Sequence, residues 1–548
     1  MTSPVLDSLL APLKGRGAAR RITFVAESGH DSSTSYADLM QLALARCAAL
    51  RELDVHEHDL VMLAYPSSEE YLGLLLGCIL AGVVPCTMPL PGKRLLDTTH
   101  NVIDVACRLY RPKVLFTTDG CVEAVQPLSG ELGMRVVGST GVLAASAAGK
   151  PPRLTEKTLE APHHVQLTSG SVAHPKAAVL SHRNVLDNVR GIARALDYDS
   201  EVDRTVLWLP LYHDMGLITL LSTLHHQSEL TLMQPGSFIR NPLGWLKRMA
   251  SSGSSTTVAP TFALRYCLRR FNAERMQGVD LSRCRHLVVG AERVDEETLH
   301  EFARTFAPYG FRGAALQPCY GMAETTLAAT MQRVTELPHP APPAEALYFA
   351  RSDAQAQGAV SVGKPLAGME VAIRDERGHS LGERATGEVF LRGTSVMLGY
   401  LPTRTAQAPA VVDPGGWLAT GDIGYVADGH LFILGRKKEI IIIRGLNYFP
   451  QEIEEAIADH PIISKDGCAA VGVHDEAKGT ENLVLLIEAP AGDVSPTARA
   501  ELQALLLQRI GFAAHDLVFV QPGALPRTTS GKLQRLKCRE LLAAGRAA

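Results

Sequence analysis

The sequence predicts an α/β protein of more than one domain, and three observations carry that prediction. Short β-branched runs such as Val114 to Thr118, Arg135 to Gly138 and Leu287 to Gly290 alternate with helical stretches through the first half, the pattern of parallel strands joined by crossover helices. After about Val360 the texture turns to strand and turn. There Val371 to Arg374, Gly387 to Leu391 and His430 to Leu434 are punctuated by DERG, RGTS, PGG and ADG, which predicts an antiparallel subdomain. Beyond GRKKE, Gly435 to Glu439, a fresh strand from Ile440 to Ile443 and a helix from Pro450 to Ala458 open a last stretch that reads as a small separate domain.

A chain of 548 residues exceeds what one hydrophobic core supports, and a 46% hydrophobic content supplies several. The formal net charge of −3, with no long Lys/Arg block, argues against nucleic acid or an anionic membrane as the main partner. The ten cysteines contain no C-x-x-C pair, so neither a zinc ribbon nor a disulfide framework is suggested, and a reducing compartment is. The N-terminal MTSPVLDSLLAPLKGRG lacks the order of a secretory signal, and no apolar run reaches about 18 residues. These readings predict a cytoplasmic, soluble protein with no membrane insertion. Pro338 to Pro343, PHPAPP, with the Ala/Gln-rich tract after it, reads as an exposed insertion.

Thr168 to Asn184, TSGSVAHPKAAVLSHRN, has the composition of a phosphate cradle. Thr168, Ser169, Gly170 and Ser171 are small enough for successive N–H groups to converge on one anion, and their hydroxyls add donors. Lys176 supplies a compact charge and Pro175 fixes the chain direction before it. A helix is predicted over Val179 to Leu196, and its N-terminus would add dipole attraction. An ordinary Ser/Gly-rich turn reads equally well, and the G-x-x-x-x-G-K-[ST] spacing of a nucleotide triphosphatase loop is absent.

Four further segments carry chemistry. In WLPLYHDMG, Trp208 to Gly216, an apolar strand is predicted to end in Tyr212, His213 and Asp214, where α/β ligand clefts form; a His–Asp pair is also often structural. In QPCYGMAETT, Gln317 to Thr326, Tyr320 offers an aromatic face for a purine and Glu324 a hard oxygen for magnesium, or else a helix start with an exposed glutamate. Asp422 in TGD, Thr420 to Asp422, suits ribose hydroxyls or a plain turn. PRTTSGK, Pro526 to Lys532, presents one lysine, which taken singly reads as a solvated surface residue.

In order along the chain, the Thr168 loop, HDMG, GAE at Gly290 to Glu292, YGMAE, TGD, GRKKE and PRTTSGK resemble the adenylate-forming superfamily of acyl and aryl ligases, luciferases and peptide-synthetase adenylation domains. The resemblance implies a large N-terminal domain of two α/β subdomains plus a β-rich subdomain over 1–435, a hinge at 436–438 with Lys438, and a small mobile α+β C-terminal domain over 439–548. It implies ATP and Mg2+ as cofactors. Thr168, Ser169, Gly170, Ser171 and Lys176 would wrap the β- and γ-phosphates, and Gly290, Ala291, Glu292, Tyr320, Gly321, Met322 and Ala323 would line the nucleotide site. Glu324 with Thr168 would hold magnesium, and Asp422 with Arg436 would take the ribose. His213 would close the carboxylate end of the acyl pocket, and Lys532 would bridge the carboxylate and α-phosphate.

Within the superfamily, WLPLYHDMGLI, Ala323 in YGMAE and IIIRGLNYFPQEIE at Ile441 to Glu454 are similar to the fatty acyl-AMP ligases, as is the long segment from Leu327 to Val362. That similarity implies a carboxylic, fatty acid substrate and transfer to the phosphopantetheine thiol of an acyl carrier protein in trans. An acyl-coenzyme A ligase and a catalytically impaired nucleotide-binding scaffold are the competing readings. Leu209, Leu211, Met215, Leu217 and the run from Ile218 to Leu224 are candidate walls of the acyl pocket and read equally as core. Val172, Ala173 and Ala177 stand where the superfamily usually has more permissive residues, two of them glycine, and so predict a stiffer loop.

Overall fold

Continuous apolar runs make the inner parallel strands. Leu60–Ala64 and Val84–Met88 are buried almost throughout, as strands covered by helices on both faces must be. The helix between them, Glu69–Ala81, is buried from Tyr71 to Leu80 and starts where the Ser68 side chain accepts the Tyr71 N–H. In the computed structural model such units build two large sheets. The structure describes residues 16–26, 31–91, 102–147, 152, 154–168, 175–333, 360–403, 406–407, 410–443, 446–464, 467–475, 480–489, 495–528 and 531–543.

The nine-stranded sheet runs in the order Lys364–Pro365, Ala328–Met331, Leu316–Gly321, His286–Gly290, Thr256–Pro260, Thr205–Leu207, Leu230–Met233, Arg21–Val25, Ser32–Ser35, with parallel pairing from Leu316–Gly321 to Arg21–Val25 and antiparallel edges. The seven-stranded sheet begins at Gly399–Tyr400 and passes through Lys176–Ser181, Pro162–Thr168, Val84–Met88 and Leu60–Ala64 to Val114–Thr117 and Arg135–Val137. A four-stranded antiparallel sheet follows, in the order Met369–Arg374, Gly387–Gly393, Leu418–Ala427, His430–Arg436. The α/β fold with a β-rich portion is therefore as expected.

Past the short 3-10 turn Lys437–Glu439, the chain forms the hairpin Ile441–Ile443 with Leu446–Tyr448 and a three-stranded sheet of Cys468–Asp475, Thr480–Glu488 and Asp516–Val520. Ile453, Ile457, Leu485, Leu502 and Leu506 form a core there that is separate from the large one. Each such side chain contributes roughly 1.5–3 kcal/mol by leaving water.

Two local expectations are corrected. Val179 to Ser181 end the strand Lys176–Ser181 and are not the first turn of a helix, and the helix is His182–Leu196. The Ser181 side chain accepts the Asn184 N–H at 3.1 Å while Asn184 Oδ1 accepts the Ser181 N–H at 2.8 Å, a capping box that starts the helix there. The helix N-terminus is thus a whole strand away from the phosphate loop. The strand before Trp208 also ends early, at Leu207, so Tyr212 and His213 lie in a turn and Asp214 opens a helix. Ser169, Gly170, Ser171, Val172 and Ala173 and the insertion around Pro338 to Pro343 lie outside the described residues. Ala177 is a buried strand residue paired with Leu167, so no left-handed conformation is asked of it. No helix among the described residues is long and apolar enough to cross a membrane.

Candidate active site

A cleft of about 2140 Å³ is walled by both large sheets, the antiparallel sheet and the C-terminal unit. Its polar groups fall in three places.

The first, which the resemblance assigns to the phosphates, is the loop end of a β-hairpin. Thr168 and Lys176 sit opposite each other at the last pair of Pro162–Thr168 with Lys176–Ser181, so the loop between them issues from a fixed base. The strand Pro162–Thr168 packs against the 3-10 turn Ala323–Thr325, which carries Glu324. Gly321 lets the chain fold back on itself around that turn, because a Cβ there would lie 1.7 Å from the Leu327 carbonyl oxygen. Glu324 Oε1 accepts a 2.6 Å hydrogen bond from the Tyr400 hydroxyl, and the Lys176 ammonium lies 4.9 Å from the centre of the Tyr400 ring.

In the second, which the resemblance assigns to the ribose, Asp422 and Arg436 face each other across the strands Leu418–Ala427 and His430–Arg436 and pair at 2.8 Å. The Tyr320 hydroxyl donates to the other Asp422 oxygen at 2.5 Å, and Thr420 Oγ1 accepts the Asp422 N–H at 3.0 Å. Burial pushes the Asp422 carboxyl above the usual carboxylate range against the pull of Arg436, and burial beside Asp422 pushes the Tyr320 phenol up. Beside them Ala291 adopts φ 66°, and Glu292 Oε1 accepts the Phe262 N–H.

The third place is the start of the helix Asp214–His225. Trp208 stacks on Phe238 with ring centres 3.7 Å apart, which pins the segment leading to it. Gly216 lets the helix start fold back, since a Cβ would meet the Pro210 carbonyl oxygen at 2.2 Å. His213 is its N-cap residue. Burial, helped by the charge of Lys532, pushes the imidazole down to about 4, so the ring is neutral at pH 7. Its Nε2 is buried with no hydrogen-bond partner among the described residues. Burial raises the Asp214 carboxyl, while Lys532 and the Met215 N–H, 2.7 Å away, draw it back.

Lys532 reaches this place from the C-terminal unit and is felt by His213, Asp214 and Asp422 together. The Thr528 N–H bonds the Lys532 carbonyl at 2.8 Å, closing a turn around it. Just beyond, Arg535 bonds Glu439 at 2.9 Å and both oxygens of Glu454 at 2.8 and 2.6 Å, tying the lysine segment to the turn after Arg436. Arg293 meets Glu455 at 3.0 Å and bridges the large body to the C-terminal unit.

Of the candidate residues that the structure describes, Thr168, Lys176, Leu209, His213, Met215, Ala291, Glu292, Tyr320, Gly321, Met322, Ala323, Glu324, Asp422, Arg436, Lys438 and Lys532 line the one cleft. Leu211 and Leu217 do not line it and are only part of the large hydrophobic core, which Leu209 and Met215 share, and Gly290 ends its strand beneath Cys319, off the cleft surface. Tyr400 went unnoticed in the sequence, where LGYLP carries no charge or motif to mark it.

The model for AMP-binding enzymes matches residues 14–401. The chain belongs to the AMP-binding enzyme family. A second model, the AMP domain of the Disco-interacting protein 2-like kind, matches residues 438–545 of this AMP-binding enzyme. Among its relatives, the medium-chain-fatty-acid–[acyl-carrier-protein] ligase JamA of Moorena producens is 30% identical, covering 98% of this chain and 95% of its own. The long-chain-fatty-acid–AMP ligase FadD26 of Mycobacterium tuberculosis is 31% identical over 88% of this chain and 87% of its own. A solved structure from a study of fatty acyl-adenylate ligases of E. coli and L. pneumophila superposes with a TM-score of 0.86 at 28% identity, covering 99% of this chain and 98% of that one. The family read from the motif order is the one found.

Proposed function

We propose that this AMP-binding enzyme activates a fatty acid with ATP and passes the acyl group to the phosphopantetheine thiol of a separate acyl carrier protein. A carboxylate oxygen attacks the α-phosphorus, pyrophosphate leaves, and the thiol then displaces AMP to form a thioester. The observation that carries the reading is that Lys532, from the C-terminal unit, lines one cleft together with His213, Asp214 and Asp422. Attack of a carboxylate on a phosphate concentrates negative charge, and a preorganised cation between the two is the group that offsets it.

The donors present fit the nucleotide and its metal. Glu324 offers a hard oxygen beside Thr168, and magnesium commonly takes one or two carboxylates and completes its shell from phosphates and water. Magnesium held there would neutralise charge on the phosphates. Lys176 cradles the same phosphates, to which Ser169, Gly170 and Ser171 are assigned by sequence alone, Asp422 and Arg436 orient the ribose, and Ala291, Glu292 and Tyr320 flank the base. Neutral His213 turns a partnerless ring nitrogen towards the carboxylate end without adding charge.

Met215, Ile218, Thr219, Ser222 and Thr223 line one face of the helix Asp214–His225. Eight residues of helical rise make a groove of about 12 Å, which suits an alkyl chain of medium length. The unit after Lys438 serves as the mobile half, in which Lys532 withdraws before the thiol arrives.

Mass spectrometry of adenylates formed from a pool of carboxylic acids tests the first half-reaction, and offering a phosphopantetheinylated carrier or coenzyme A tests the second. Fatty acyl-adenylate followed by carrier loading is expected. Coenzyme A thioester formed as fast as the loaded carrier would identify an acyl-coenzyme A ligase, and ATP binding without pyrophosphate exchange would identify a scaffold.

A further inference from the structure

Tyr400 touches two of the groups assigned to the phosphates, yet belongs to none of the segments that supply them. Its strand, Gly399–Tyr400, pairs antiparallel with Lys176–Ser181, placing Tyr400 opposite Ala178, two residues from Lys176. Its hydroxyl donates to Glu324 Oε1 at 2.6 Å, and three residues earlier the Met397 N–H bonds the Glu324 main-chain carbonyl at 2.9 Å. The segment therefore holds Glu324 at both its backbone and its carboxylate. The opposite use of the side chain is the ring face, which lies 4.9 Å from the Lys176 ammonium.

We infer that Tyr400 is a positioning residue for the metal and phosphate groups: its hydroxyl fixes the Glu324 carboxylate so that the second oxygen faces the cleft, and its ring holds the Lys176 ammonium beside it. This rests on the proposed role of Glu324. Two arguments separate positioning from packing. A phenylalanine would fill the same space, so the hydroxyl is not needed for volume, and a hydrogen bond to an ionised acceptor is short and directional. The ring contact is electrostatic in kind, a cation over a π face, and is independent of the hydroxyl.

The two contacts can be taken apart by titration calorimetry with a non-hydrolysable ATP analogue, once with magnesium and once with EDTA. Wild type binds more tightly with magnesium. Glu324→Gln is expected to lose most of that gain. Tyr400→Phe, which keeps the ring, is expected to lose roughly tenfold of it while its EDTA affinity and melting temperature stay at wild-type values. Tyr400→Leu should weaken the EDTA affinity as well, because Lys176 loses its seat. If Glu324→Gln loses the gain and Tyr400→Phe keeps it, the positioning role is overturned and the role of Glu324 stands. If Glu324→Gln keeps the gain, both fall. Equal weakening of Tyr400→Phe with and without magnesium marks a structural residue only, and a Tyr400→Leu variant no weaker than Tyr400→Phe in EDTA removes the ring contact.

Discussion

Asp422 and Glu324 are carboxylates in the same cleft, and their surroundings differ in kind. Asp422 is buried and answered on every side by the fold: Arg436 at 2.8 Å, the Tyr320 hydroxyl at 2.5 Å and a backbone anchored on Thr420. Glu324 is half-buried and receives a neutral phenol at 2.6 Å. On the proposed assignment, the ribose corner is thus complete before a ligand arrives, whereas the phosphate corner keeps a carboxylate that would meet a metal. A neutral sugar asks for oriented hydrogen bonds, which a closed network supplies. A polyphosphate arriving with its cation asks for unspent charge.

The sharpest way to break the comparison is through the group that serves neither corner alone. Lys532→Ala should lower adenylate formation by about a hundred- to thousandfold, roughly 3–4 kcal/mol, with ATP affinity nearly unchanged, because both corners stay intact. Pyrophosphate exchange and analogue binding measure the two halves; a large loss of binding would place the lysine in the nucleotide site itself. Asp422→Asn comes next. It neutralises the buried member of a pair whose other member, Arg436, is exposed, and the weakened hydrogen bonds should cost about 1.5–3 kcal/mol in urea unfolding as well as nucleotide affinity. An unchanged midpoint would mean that the network is not closed in the way described.

Protons probe the region between the corners. His213 is held at about 4, below the usual histidine range near 6.5, so the unfolded chain takes up its proton first as pH falls. Stability from this group is therefore complete above about 6.5 and is lost as pH drops towards 4, by on the order of 2 kcal/mol. His182, also held at about 4, adds in the same direction. His213→Gln should flatten part of the melting-temperature decline between pH 6.5 and 4.5; an identical decline would remove His213 from it. The smallest effect sharpens the contrast: Glu324→Gln should leave stability within about 0.5 kcal/mol, since the amide oxygen can still accept from Tyr400. A drop like that of Asp422→Asn would show that Glu324 is also part of a closed network.

Much of this was legible in the sequence because it is local. The strands at Val114, Arg135 and Leu287, the antiparallel run after Val371 and the order of YGMAE, TGD and PRTTSGK follow from residue type and spacing. What failed was what depends on distant partners. Lys176–Ser181 is apolar enough for helix or strand, and its pairing with Pro162–Thr168 and Gly399–Tyr400 decides the matter. Leu211 and Leu217 differ from Leu209 and Met215 only in which way a turn and a helix face point them. Tyr400 acquires its meaning from Glu324, and no period or motif links the two.

The turn that closes around Lys532 has a consequence in time as well as in space. The groups assigned to the nucleotide, from Thr168 to Arg436, are all encoded before it, and domains emerging from the ribosome fold in order. The nucleotide corners can therefore be assembled on a nascent chain while the chemistry is still withheld. A chain cut short before that turn keeps the groups assigned to the nucleotide and lacks Lys532, so nucleotide binding without adenylate formation is its expected behaviour.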